Sequence, residues 1–291
     1  MFQSGYVALV GVPNVGKSTL INQLIGQKLA IVSAKPQTTR HRILGILHRP
    51  QAQILFLDTP GIHSHKKMLN RRISAKAEEA LQDADVAVHL IEPRLPLKVA
   101  DQKIAERIRQ RGIPHLVVIN KVDQVAKPAL LPLMAEVARQ WQPDEVIPLS
   151  ALKGDGAEIL IGEVSKRLPE GPAFFPEDQY TDQTVRFLCE ELLREKAFAL
   201  LHEEIPYGLT SVIEKFEETG GRVHIHGVLV VERESHKAIV VGAGGRMIKE
   251  IGTRARADIE AMLGKKVFLE LFVKVVQGWS GDPKRLTEYG I

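Results

Sequence analysis

Gly11-Val12-Pro13-Asn14-Val15-Gly16-Lys17-Ser18 decides the fold of the first half of this chain. The stretch fits G-x-x-x-x-G-K-[ST]. The β-rich run Tyr6-Val7-Ala8-Leu9-Val10 leads into it, and Thr19-Leu20-Ile21-Asn22-Gln23-Leu24-Ile25 after it has the apolar period of a helix that stops at Gly26. A strand, a glycine-containing loop and a helix in that order form a cradle for phosphates. Gly11 and Gly16 let backbone N–H groups converge on phosphate oxygens, and the helix adds its positive N-terminal end. Lys17 would reach the β- and γ-phosphates and the Ser18 hydroxyl would bind Mg²⁺. Val12, Pro13, Asn14, Val15 and Thr19 are expected to line the same nucleotide.

Three more motifs follow in order. Ile54-Leu55-Phe56-Leu57 reads as a strand ending at Asp58-Thr59-Pro60-Gly61. Asp58 is placed to hold Mg²⁺, usually through a water, and Gly61 offers a bare N–H to a γ-phosphate. His115-Leu116-Val117-Val118-Ile119 leads into Asn120-Lys121-Val122-Asp123. The Asp123 carboxylate can accept from guanine N1–H and N2–H₂, a donor pair that adenine lacks, so adenine would leave it unpaired. The Asn120 amide can bond the opposite edge of the base, and the Lys121 stem can pack across the nucleotide. A strand over 145–149 then leads to Ser150-Ala151-Leu152, which can close over the base. Between the first helix and the second strand, Thr38 or Thr39 could close over Mg²⁺, Thr39 being favoured. Lys17, Thr39 and Gly61 are the expected transition-state contacts.

These motifs all end apolar runs. The run at 86–91 is of the same kind, and runs of this type suit strands buried on both faces of a parallel sheet. Helical segments are expected near 69–83, 99–112 and 128–140. Alternating strand and helix predicts an α/β domain with its ligand at the carboxyl ends of the strands.

The remainder of the 291 residues calls for a second domain. The chain has 44% hydrophobic and 25% charged residues, the balance of an ordinary globular protein. One cysteine, Cys189, excludes an internal disulfide framework, suits a reducing cytosol, and is expected to be buried. Residues 1–5 lack the features of a signal peptide, and no apolar run reaches the ~18 residues of a membrane span. A cytoplasmic location is therefore expected.

Residues 168–178 are rich in Pro and Gly and read as a linker. This places a nucleotide-binding domain at 1–168, the linker at 169–181 and a smaller domain at 182–291. In the latter a helix over 182–204 precedes strands over 209–217 and 222–232. Ala238–Val241 is expected as an apolar strand, followed by Gly242-Ala243-Gly244-Gly245, helices over 247–252 and 254–263, and a strand over 267–276. The loop has the G-x-x-G form that lets a sugar-phosphate backbone pass close to N–H groups. Residues 181–291 hold 16 Lys and Arg against 17 Asp and Glu, but 235–274 hold eight against four. Basic charge is thus concentrated around the loop, where phosphates would lie. Gly242, Ala243, Gly244, Gly245, Arg246 and Lys249 are the expected RNA contacts. Glu190, Glu191, Glu203 and Glu204 are expected on a solvent face of the long helix. Trp279 could stack on a base, although packing is the commoner role.

The quoted motifs, with Gln37-Thr38-Thr39-Arg40-His41-Arg42, closely resemble those of the Era family of bacterial GTPases over essentially the whole chain. The resemblance implies a Ras-like P-loop GTPase domain, α/β in class, joined to a smaller α+β type II KH domain. It implies Mg²⁺-dependent conversion of GTP to GDP and phosphate, binding near the 3′ end of small-subunit (16S) ribosomal RNA, and a role in 30S ribosomal subunit assembly. A monomer is expected. Peripheral association with the inner face of the membrane has been linked to the family, but no anchor is visible in the sequence.

Ile62 departs from the Ras-like pattern, which carries a glutamine there to orient the attacking water. Hydrolysis should be slow or draw its water-positioning group from elsewhere. A K⁺ ion near Asn14, whose amide oxygen is a suitable hard ligand, could supply positive charge. His63 and His65 invite a general-base role, although mobile surface histidines are the commoner case. A nucleotide switch is expected, in which GTP and Mg²⁺ order the segments around Thr39 and Gly61 and alter access to RNA. A GTP-controlled protein or membrane adaptor is the rival expectation.

Overall fold

The computed structural model describes residues 1–33, 35, 38–59, 69, 72 and 78–291. Pro60, Gly61, Ile62, His63 and His65 lie outside the described residues, as does Gln37. The described residues form two compact units. One takes Met1–Ala30 and the described parts of Thr39–Ser64 and Arg72–Asp182; the other takes Gln183–Ile291, Ile31–Thr38 and the described residues of His65–Arg71.

The first unit is a six-stranded sheet of β1 (Gln3–Val10), β2 (Ile43–Arg49), β3 (Ala52–Asp58), β4 (Val86–Ile91), β5 (His115–Ile119) and β6 (Glu145–Pro148), in the order β2-β3-β1-β4-β5-β6. Only β2 runs antiparallel to its neighbour. Its described helices include α1 (Lys17–Ile25), α2 (Val99–Arg111), α3 (Leu130–Trp141) and α4 (Ala157–Ser165). The apolar runs behave as central strands should: Val7, Ala8, Leu9 and Val10, like Leu116, Val117, Val118 and Ile119, are fully buried. β1 lies between β3 and β4, so the strand order reverses direction at β1 and a crevice opens beyond its carboxyl end. The register sets Leu9 beside Asp58 and Val10 beside His89, which brings the motif at the end of β3 level with the loop after β1. Segment 169–175 is tied to this unit: Ser4 N donates to Pro169 O (3.0 Å), Ser4 Oγ to Pro172 O (2.7 Å), and Phe174 N to Gln53 Oε1 (2.6 Å).

The second unit comprises α5 (Val185–Leu200), β7 (Leu209–Thr219), β8 (Arg222–Val231), α6 (Glu234–Val241), α7 (Arg246–Leu263), β9 (Lys266–Val275) and α8 (Pro283–Glu288). Its sheet is β7-β8-β9, antiparallel then parallel. Helices α5 and α7 cover one face through Cys189, Leu192, Leu193, Ala255 and Ile259, against Ile213, Val223, Ile225 and Val267. The buried Cys189 thiol is pushed up to about 12 by desolvation, so it packs as a small apolar group.

Several expectations for this unit are corrected. Ala238–Val241 is the last half of helix α6, with Val240 buried, because four apolar residues cannot by themselves separate a strand from a helix face. The expected helices over 247–252 and 254–263 are one helix. Thr253 does not cap a second helix; its hydroxyl donates to Lys249 O one turn back (2.8 Å). The long helix is shorter than 182–204: Thr184 Oγ1 caps it by accepting from Phe187 N (3.2 Å), and Leu201 is already extended. Glu191 is buried and paired with Arg194, and Glu190 Oε1 accepts from Ile213 N (2.8 Å), so neither is a simple solvent-face charge. Trp279 is fully buried, its Nε1 donating to Gly208 O (3.1 Å) and its ring edge-on to Tyr289, which removes base stacking.

A buried histidine pair gives the first unit a pH signature. His89 and His115 stack at 5.6 Å, and His89 also stacks on Trp141 at 5.2 Å. The His115 ring is driven down to about 4, first by burial and next by His89, with Asp144 opposing. Burial also lowers His89, against the pull of Asp101 Oδ1 at 3.7 Å. A histidine whose folded pKa lies below its unfolded value takes up its proton preferentially in the unfolded chain. Its contribution is complete above about 6.5 and is lost as pH falls towards 4, costing about 3 kcal/mol. Asp58, raised to about 6 by burial, titrates in the opposite sense. The measurement is therefore a difference: urea stability of wild type minus His115→Phe should fall by about 3 kcal/mol between pH 7 and pH 4. A flat difference would contradict this account.

Candidate guanine-nucleotide site and nucleic-acid interface

The loop after β1 has positive φ at Gly11 (151°), Asn14 (61°) and Gly16 (105°). Gly16 has no alternative, because a Cβ there would sit 2.2 Å from Asn120 Nδ2. Lys17 and Ser18 open helix α1. The buried Lys17 ammonium donates to Gly11 O (3.0 Å) and Val12 O (3.2 Å). Desolvation lowers it to about 8, with Asp58 and Asp101 opposing. An arriving phosphate would supply the missing negative charge at short range.

Ser18, Thr39 and Asp58 come together from three separate segments. Ser18 Oγ donates to Asp58 Oδ2 (2.8 Å) and lies 2.9 Å from Thr39 Oγ1. Asp58 Oδ1 is buried with no hydrogen-bond partner, and burial raises the carboxyl to about 6. Two hydroxyls and a carboxylate form a hard-oxygen set that fits Mg²⁺, and the unpartnered oxygen is an acceptor that a cation or its water would satisfy. Of the two threonines, Thr39 is the one whose hydroxyl joins this set. Thr38 is also buried, but its Oγ1 donates to Lys35 O (2.7 Å). Thr59 Oγ1 donates to Leu9 O (2.7 Å), locking the end of β3 to β1.

On the base side, Asp123 Oδ1 accepts from Ser150 Oγ (2.6 Å), and that bond is the first cause holding the carboxyl below its usual range. Asn120 has a structural task besides the expected base contact. Its Nδ2 donates to Val15 O (2.8 Å) and its Oδ1 accepts from Ala151 N (2.9 Å), so it clamps the phosphate loop to the Ser150 loop. Lys121, also left-handed (φ 62°), stretches its ammonium to Asn14 O (2.7 Å). Leu152 is exposed and Ala151 buried. Sequence reasoning missed Glu92, which contacts Lys121 Nζ at 3.0 Å. Its signal was its place just after the apolar run 86–91, at a strand's carboxyl end.

In the second unit Gly242-Ala243-Gly244-Gly245 joins α6 to α7. Gly242 (φ 72°) must lack a side chain, since a Cβ would meet Met247 Cβ at 2.8 Å. Gly244 and Gly245 are also left-handed (φ 60° and 76°), with no atom within 4 Å of an added Cβ. Beside the loop lies an open cleft of about 320 Å³ whose lining includes Ile248, Lys249, Gly252, Arg256, Leu269 and Leu271. Apolar floor, glycine approach and basic rim together suit an unstacked base with its phosphate. Arg246 Nε donates to Ala243 O (3.3 Å), so this side chain braces the loop.

Known proteins carry the same arrangement. Residues 6–121 match the family model described as a 50S ribosome-binding GTPase, and residues 204–280 match the KH domain model. GTPase Era of Syntrophus aciditrophicus is 45% identical over all of this chain and 95% of its own length. GTPase Era of Pseudomonas aeruginosa is 46% identical over 98% of this chain and 94% of its own. A crystal structure of Era in complex with MgGDPNP and nucleotides 1506–1542 of 16S ribosomal RNA superposes with a TM-score of 0.96 at 40% identity, covering 100% of this chain and 99% of the other. A point variant of Aquifex aeolicus Era bound to GDP·AlF₄⁻ matches equally well, with a TM-score of 0.96 at 40% identity over 99% of each chain.

Proposed function

The chain belongs to the Era family of GTPases, and from that membership we propose that it is a GTP-controlled switch that binds the 3′ region of 16S ribosomal RNA and acts in 30S subunit assembly. The observation that carries the reading is the meeting of Ser18, Thr39 and Asp58 beside Lys17 at one end of a crevice whose other end holds Asp123 and Ser150. Residues 11–19, 38, 39, 58–61, 120, 121, 123 and 150–152 form the GTP site, with Mg²⁺ on Ser18, Thr39 and Asp58. Residues 242–246 and 249 take the RNA backbone. Residues 1–168 are the GTP-binding domain and 182–291 the RNA-binding domain, with 169–181 as the connector.

Covalent continuity supports the switch. Within the second unit, the segment Ile31–Thr38 is held by helix α5: Val32 N donates to Glu195 Oε1 (3.0 Å), Arg194 Nη1 donates to Thr38 O (2.6 Å), and Lys35 Nζ donates to the carbonyls of Phe198 and Leu201. The very next residue, Thr39, has its hydroxyl on Ser18. A γ-phosphate and Mg²⁺ that draw on Thr39 therefore pull on a segment anchored at α5, and a ligand shifts such an equilibrium by its differential affinity for the two states. A single-stranded RNA matching the 3′ end of 16S ribosomal RNA should bind at least about fivefold more tightly with a non-hydrolysable GTP analogue than with GDP. Equal affinities would remove the switch, and absence of binding in either state would leave the adaptor reading.

The proposal includes slow hydrolysis, because the Ile62 side chain cannot hydrogen-bond a water. It also includes a K⁺ ion near Asn14. Hydrolysis should run several-fold faster in K⁺ than in Na⁺ buffer, and identical rates would remove the ion. No helix among the described residues is long and apolar enough to cross a membrane. The reading places a monomer in the cytoplasm, with any membrane association peripheral at the inner face.

A further inference from the structure

Glu92 follows directly on β4, with about a quarter of its side chain exposed. One carboxylate oxygen, Oε1, lies 3.0 Å from Lys121 Nζ, while Oε2 accepts from Lys98 Nζ. Arg94 Nε stands farther off, 4.0 Å from Oε2. Burial works against the Glu92 charge, but the hydrogen bonds from Lys98 and Lys121 outweigh it and hold the carboxyl below its usual range. Glu92 is therefore an anion between two ammonium groups.

The Lys121 ammonium has a second partner on its far side, the Asn14 carbonyl at 2.7 Å. Asn14 and Lys121 are two of the four residues other than glycine with left-handed backbone among the described residues. A left-handed position costs a side-chain-bearing residue energy and persists only where its surroundings fix it. Here one ammonium ties the two positions together, and one carboxylate holds that ammonium in place. The side chain that would flank the base and the loop that would cradle the phosphates are thus fixed relative to each other by Glu92, which itself stands behind Lys121.

We propose that Glu92 is a positioning residue for guanine-nucleotide binding: it holds Lys121 against the Asn14 carbonyl and so sets how long a bound nucleotide stays. The inference rests on the reading of residues 11–18 and 120–123 as the GTP site. Lys98 serves the carboxylate from its outer side and has no contact with Lys121 or Asn14 among the hydrogen bonds of the described residues, so its removal leaves the tie standing.

The test is the dissociation rate of a fluorescent GDP from the full chain. Glu92→Ala should speed release about tenfold, Glu92→Gln should recover part of that loss because its amide oxygen can still accept from Lys121, and Lys98→Ala should change the rate less than about twofold. In a Lys121→Ala background, Glu92→Ala should add little, since the carboxylate acts through that ammonium. A general loss of folding would instead add the same factor in both backgrounds. An unchanged rate in Glu92→Ala, or full additivity with Lys121→Ala, would overturn the proposal. Failure of the wild type to bind GDP would overturn the site reading instead, so the two failures are distinguishable.

Discussion

Asp123→Asn is expected to weaken GDP binding about 1000-fold and to create binding of xanthosine diphosphate within about tenfold of the wild-type affinity for GDP. The direction follows from donors and acceptors. Guanine presents N1–H and N2–H₂, both donors, and a carboxylate offers only acceptors. An asparagine replaces one acceptor by an NH₂ group, and the orientation of that amide is set by this structure. Lys153 N donates to Ser150 Oγ (3.3 Å), which leaves the Ser150 hydroxyl proton directed at Asp123 Oδ1 (2.6 Å). In the variant the amide oxygen takes the Ser150 proton, and the NH₂ faces the base. It then opposes guanine's amine but complements the carbonyl that xanthine carries in its place. Fold should survive, because the Asn120 clamp and the Ser150–Asp155 bridge do not involve the Asp123 carboxylate. Calorimetric titration with the two diphosphates decides it. A variant that holds GDP within about tenfold of wild type would show that Asp123 does not read the base.

Much of this site is legible in the sequence because its chemistry is local there. Strand, glycine loop and helix at 6–25 dictate a phosphate cradle by their order alone, and the apolar runs at 86–91 and 115–119 announce strands buried on both faces. What cannot be read is the role of a side chain whose partners are distant in sequence. Proximity to Asp123 points the Asn120 amide at the base; that the same amide also ties Val15 to Ala151 shows only in the fold. Glu92 carries no motif, and only the pairing of β4 with β5 brings it near Lys121. Glu191 reads as a surface charge on an amphipathic helix, yet it is buried because Arg194, one turn on, neutralises it and carries the pair to Thr38 O. The helix boundaries near Val241 and Thr253 elude the sequence for a related reason. Short apolar runs and a threonine are compatible with strand, cap or helix interior, and tertiary contacts choose among them.

Gly244→Asp/Gly245→Asp should reduce affinity for the 3′-terminal ribosomal RNA about 100-fold while leaving the second unit folded. The choice of positions matters. At Gly242 any side chain would strike Met247, so a loss of binding there would be confounded with damage to the loop. Gly244 and Gly245 have open space around an added Cβ and need only a left-handed backbone, which aspartate tolerates better than most residues. The strain is on the order of 1 kcal/mol at each position, which should lower the thermal midpoint by several degrees without abolishing the transition. The loss of RNA affinity has a different source. Two carboxylates would occupy the side of the loop where phosphates must approach its N–H groups, and they would oppose the basic residues Lys249 and Arg256 on the rim of the cleft. Because the effect is one of charge, it should shrink as ionic strength rises, and Gly244→Asn/Gly245→Asn, with the same backbone demand and no charge, should retain most of the binding. Fluorescence anisotropy with the same labelled RNA separates these cases. If the Asn and Asp pairs lose affinity equally, backbone strain or bulk closes the loop to RNA; if neither loses it, the RNA lies elsewhere on the chain.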